Sequence, residues 1–253
     1  MLTMWIWWLA FLLEAALLIR GVQEQLVRKF PVFYSYLLFV ITAELLRFTV
    51  FRWYHSNYFY VYWVTQFFTL VIGSAIILEI YRMSLRPFPG TAKIARYLLL
   101  IVYGAVFAKT LANPTASSQW WLQQMAEELE RNLRIVQSLA IFALILLFLW
   151  YAIPFGKNLR GILVGYSLFI GLSILQLTLM PILWDHIKLF WASVQPVSYL
   201  LVLGLWTGAL WSTDPVSELK PSPQLENDYE ALAASTRTQF QRALARLGWA
   251  VRL

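Results

Sequence analysis

Two ionisable residues, Glu44 and Arg47, interrupt a run from residue 31 to 51 that holds no other charge. Three positions apart on a helix, they share one face. Charged side chains are costly inside a bilayer, and they mark ligand sites or proton paths there more often than they mark nothing. A carboxylate beside a guanidinium neutralises itself, which lowers the cost of burial. Such a pair either locks its helix against a neighbour or holds a polar ligand. Glu14 is a second carboxylate, placed in the inner half of the first apolar run, where it snorkels inward or faces the other helices. Gln66, Gln176 and Gln195, with Gln137, add neutral donors and acceptors in four further runs. Hydrogen bonding between helices accounts for glutamines in such positions without any further role. If Glu44, Arg47, Gln66, Gln176 and Gln195 converge, with Trp63 beside them, they line a pocket.

Other chemistries lack their residues. Cysteine is absent, which removes disulfides, thiolate metal sites and a cysteine nucleophile. The two histidines, His55 and His186, fall in loops on one side, which is a bare ligand set for a zinc that wants three protein ligands. No metal and no cofactor is expected. The last apolar run, 189–211, contains no lysine, so a retinal Schiff base of the opsin kind has no anchor. No Gly-rich phosphate loop is present.

The elements that position these residues follow from the apolar blocks. The chain has 253 residues, 60% hydrophobic and 13% charged, where a soluble domain carries about 25% charged residues. A bilayer core about 30 Å thick needs roughly 20 apolar residues per helix. Seven blocks meet that need: about 4–20, 31–52, 58–81, 95–112, 132–153, 160–184 and 189–211. Backbone groups in lipid must be satisfied within the segment, and stretches such as Leu139 to Tyr151 are apolar all round, so helices are expected and a barrel is not. The sequence therefore predicts an all-α integral membrane protein, a seven-transmembrane-helix bundle over residues 1–212. The first block has no Lys or Arg before it and Arg20 after it, which is the wrong order for a secretion signal.

Orientation follows from lysine and arginine. Arg20, Arg28 and Lys29 follow the first block, Arg82, Arg86, Lys93 and Arg96 the third, and Lys157 and Arg160 the fifth. Basic loops stay in the cytosol, so the N-terminus is expected outside and the C-terminus inside. Glu127, Glu128 and Glu130, with Arg131 and Arg134, are read as loop charges on the outer side, on a helix that extends the fifth block outward from about residue 119. Glu79 and Arg82 read as an ordinary positive-inside helix end. Residues 213–253 form a cytosolic tail with an amphipathic helix about 227–252. Its Arg237, Arg242, Arg246 and Arg252 lie off an apolar stripe, a pattern that suits an anionic membrane surface.

Aromatic residues crowd the outer turn between the second and third blocks, from Phe51 through Trp53, Tyr54, Tyr58, Phe59, Tyr62 and Trp63 to Phe67. An interfacial aromatic belt explains most of them. The remainder suits an outward pocket for a lipid or hydrophobic molecule. Nucleic-acid binding is not expected, because aromatic and basic groups lie on opposite sides. Three functions are weighed: a seven-helix membrane sensor or ligand-binding protein working through a separate cytosolic or membrane partner; a structural or accessory subunit of a larger complex; and a small-solute transporter or intramembrane enzyme using Glu44. An enzyme is the less favoured outcome. The missing cysteines, and the absence of any glycosylation sequon other than the Pro114-blocked one at Asn113, fit a bacterial cytoplasmic membrane.

Overall fold

Proline and a left-handed residue punctuate the start of the chain. In the computed structural model, which describes residues 2–86, 88–112, 121–151, 156–211, 227, 230, 231 and 234, helix α1 spans Leu2–Gln23. Gln25 then takes φ 54°, the left-handed conformation that ends a helix. A single turn, α2, covers Leu26–Lys29. Phe30, barred from helical geometry by the following proline, sits at φ −126°, and Pro31 opens α3 (Pro31–Trp53) where its missing N–H costs nothing. A 3₁₀ turn at His55–Asn57 leads into α4 (Tyr58–Ser84). Helices α5 (Pro89–Ala112), α6 (Trp121–Tyr151) and α7 (Lys157–Leu210) follow. No strand occurs among the described residues.

Six stretches are long and apolar enough to cross a membrane: Trp5–Gln23, Pro31–Trp53, His55–Ser84, Pro89–Ala112, Gln123–Trp150 and Lys157–Thr178. A shorter apolar piece, Pro196–Leu210, comes last. The protein is thus an all-helical integral membrane protein. Two predicted boundaries move. Helix α5 begins at Pro89 instead of residue 95, because Lys93 and Arg96 stand within its first turns with their heads exposed. Helix α6 begins at Trp121, ahead of the apolar block that starts near residue 132, and takes in the acidic stretch between them.

Helix α7 is 54 residues long and would run about 80 Å if straight. It does not. The indole N–H of Trp206 donates to the carbonyl of Ile162 at 3.4 Å, so the two ends of the run lie side by side. Their contact depends on glycine. A Cβ on Gly165 would fall 2.3 Å from Trp206 Nε1, and one on Gly161 2.0 Å from the Ala209 Cβ. The two ends of the run therefore lie antiparallel, side by side.

Helices α1, α3, α4, α6 and α7 pack in a closed ring, each against the next, and α7 returns to α1. Helix α5 lies outside it, against α4 and α6. The core runs through the ring, with Phe33, Leu37, Ile76, Leu133, Tyr166 and Trp206 fully buried. Phe33 meets Trp206 edge-on at 5.0 Å between ring centres. One cap crosses between helices. The Glu79 carboxylate accepts from the backbone N–H of Val32 at 2.8 Å and of Phe33 at 2.9 Å, at the free N-terminus of α3. Those N–H groups have no partner in their own helix, and a negative charge suits that end of the dipole. Glu79 thereby closes the α3 end, a role that a reading of its own helix end does not reveal.

Candidate functional site

Polar side chains meet inside the ring in two groups. The first begins at Arg47 on α3. Its Nε donates to Thr65 Oγ1 at 2.7 Å and its Nη2 to Gln66 Oε1 at 3.4 Å, both on α4. Its guanidinium also lies 4.7 Å over the Tyr62 ring. Gln66 Nε2 donates to Glu130 Oε2 on α6 at 3.4 Å. Glu130 Oε1 pairs with Arg134 Nη2 at 3.3 Å, one turn along. Arg134 Nη1 donates to Gln137 Oε1 at 3.2 Å, and Gln137 Nε2 returns to α4 at Ser74 Oγ, 3.0 Å away. Arg134 is only 5% exposed and stands 4.7 Å over the Phe169 ring of α7. Tyr166, next to that ring, donates to the Gly73 carbonyl. The result is a chain of donors and acceptors that ties α3, α4 and α6 together with α7 rings laid on it.

The second group is less complete. Glu14 on α1 is fully buried and accepts from the Tyr199 hydroxyl of the returning limb of α7. Glu44 on α3 is partly buried, lies near enough to Glu14 for the two charges to repel, and faces the Trp7 indole N–H. Glu14 Oε2 and Glu44 Oε2 are both buried, and neither has a hydrogen-bond partner among the described residues. Rings surround the pair: Trp7 stacks on Phe48 at 5.8 Å and on Phe11 at 6.0 Å.

The expected Glu44–Arg47 ion pair does not form among the described residues. Arginine is long and presents five donors in a fork, so Arg47 reaches the neighbouring helix and satisfies itself there. Glu44 is left to face α1. Of the predicted pocket residues, the fold brings Arg47 and Gln66 together. Trp63 is half-buried beside Tyr62, 5.0 Å between ring centres, and flanks the Arg47 site. Gln176 is half-buried on α7 and joins neither group. The Gln195 side chain lies outside the described residues, as do the side chains of His186, Arg237, Arg242, Arg246 and Arg252. His55 turns back on its own helix, with Nδ1 2.7 Å from the Phe51 carbonyl.

Glu130 and Arg134 take part in the site although they read as outer loop charges. A signal for them exists: Glu130, Arg134 and Gln137 recur at helical spacing and continue one face into the apolar block. A polar face that enters a membrane span points inward. Tyr199 carries no such signal, because one tyrosine in an apolar run has many uses.

Comparison with known protein families, with curated proteins and with solved structures finds no match for this chain.

Proposed function

We propose that the chain is a seven-helix membrane sensor or ligand-binding protein whose site is the carboxylate pair Glu14 and Glu44, entered from the outer side and flanked by Arg47, Gln66 and Trp63. The observation that carries this reading is the pair of buried carboxylate oxygens that have no donor among the described residues, held by two different helices. A buried acceptor left unmade costs about 1–3 kcal/mol, and more when charged. A bound ligand with hydrogen-bond donors offsets that cost. The rings of Trp7, Phe11 and Phe48 suit an amine or ammonium group on an apolar body, through charge and ring attraction together.

In this reading Pro196–Leu210 is the seventh crossing, the N-terminus is outside and the tail faces the cytosol of a bacterium, where a separate partner takes up the signal. The tail arginines rest on the anionic inner surface. The cysteine-free chain gives a clean test of this topology. A single cysteine at Lys188 is expected to react with a membrane-impermeant reagent from outside, and one at Lys220 in the tail only after permeabilisation. The same side for both contradicts seven crossings.

The ligand is tested by native mass spectrometry of the protein purified from its own membrane, with the released small molecules identified. A stoichiometric cationic or donor-rich molecule, lost in Glu14→Gln and in Glu44→Gln, is the expected result. Its retention in both variants sinks the assignment. A second reading, an accessory subunit of a larger complex, is favoured by the internal pairing of Arg47, Gln66, Glu130, Arg134 and Gln137. A bare chain, or one that carries a second protein at fixed stoichiometry, selects that reading.

A further inference from the structure

At the other end of the bundle a cavity of about 340 Å³ opens where α4 ends and α5 begins. Its walls are Arg82 from α4 and Pro89, Ala92, Lys93, Arg96 and Tyr97 from α5. Three of the six residues are cationic and none is acidic. Glu79, close enough to Arg82 to feel its charge, is hydrogen-bonded to the backbone of α3. Arg82, Lys93 and Arg96 are exposed, and none of them forms an ion pair among the described residues.

The position of the cavity says what sort of anion it meets. Lys93 and Arg96 stand in the first turns of a helix apolar enough to cross the membrane, which puts the cavity at the boundary between lipid and water. From it an apolar stripe continues along α5. Leu100 and Leu111 lie on the cavity's side of the helix, in register with Lys93, Arg96 and Tyr97, and are 42% and 62% exposed. Basic head, aromatic rim and apolar stripe together match the head and tail of one lipid molecule. Free phosphate needs only the first of these. We infer that the α4–α5 cavity binds the phosphate headgroup of an anionic phospholipid, with Arg82, Lys93 and Arg96 on the phosphate, Tyr97 at its rim and an acyl chain along Leu100 and Leu111. The site is separate from the Glu14–Glu44 pair and stands whether or not that pair binds a ligand.

The test uses the full chain in a neutral detergent. Phosphatidylglycerol and phosphatidylcholine of matched chains are titrated in competition and counted by native mass spectrometry. One phosphatidylglycerol is expected to bind in clear preference. Each Lys or Arg near an anionic lipid is worth about fivefold in binding. The Arg82→Gln/Lys93→Gln/Arg96→Gln variant is therefore expected to lose that preference by tenfold or more, with an unchanged helical circular dichroism spectrum. The Arg28→Gln/Lys29→Gln variant removes basic residues at the same end of the bundle but outside the cavity, and is expected to keep it. Equal loss in both variants, or no preference in the starting protein, overturns the proposal. Displacement of the lipid by millimolar inorganic phosphate also overturns it, since the cavity is then a free-anion site.

Discussion

The two polar groups inside the ring differ in how they are completed. From Arg47 to Ser74, each polar residue finds a partner on its own or a neighbouring helix and two arginines lie over aromatic faces, with Arg134 Nε the network's one buried atom left without a partner among the described residues. At Glu14 and Glu44, two carboxylates meet only Tyr199 and Trp7 as donors among the described residues, and an oxygen of each has no partner there. Burial alone therefore does not mark a site in a membrane protein. A completed network holds helices in register. On the function proposed above, α6 holds the structure and the α1–α3 contact holds the ligand.

That division breaks most visibly at Arg134. Removing one member of a buried pair costs about 3–5 kcal/mol, because the partner charge stays buried. Arg134→Leu strands Glu130 and Gln137 and is expected to lose about that much in a denaturant titration of the detergent-solubilised protein. A loss under about 1 kcal/mol there would mean that the chain of bonds does not hold α6. Gly165→Ala comes next. Its Cβ enters the space of Trp206, and overpacking of that kind costs about 1–3 kcal/mol. The same change at Gly171, where a Cβ meets nothing within 4 Å, is expected to cost nothing or to stabilise, so the two thermal midpoints should separate. Glu79→Ala uncaps α3 and is expected to cost about 1 kcal/mol, with Glu79→Gln losing less. If both are neutral, water serves the α3 terminus equally well.

The apolar blocks announced the helices because lipid admits no other backbone, and that part of the fold was legible almost to the residue at Trp53 and at Tyr58. The start of α5 was less so, since Lys93 and Arg96 look like loop residues until their stems are laid along the helix. The site was legible in part. The Arg47–Gln66 contact was anticipated. Its partners Glu130 and Arg134 were not, because charges beside an apolar block are counted toward orientation before they are placed on a face. Glu44 and Arg47 share a helical face as spacing requires, yet spacing says nothing about how far a guanidinium reaches. Which residue completes which carboxylate is a fact about neighbouring helices, and no local pattern contains it.

The smallest expected effect is also the most telling. Glu14→Gln/Glu44→Gln removes the two carboxylates without changing their size. Denaturant unfolding of this variant, freed of bound small molecules, measures whether they hold the bundle or wait for a ligand. Stability within about 1 kcal/mol of the parent protein, or above it, is the result predicted for a site that trades stability for binding. A loss of about 3–5 kcal/mol, like that expected for Arg134→Leu, would contradict the account and make Glu14 and Glu44 structural.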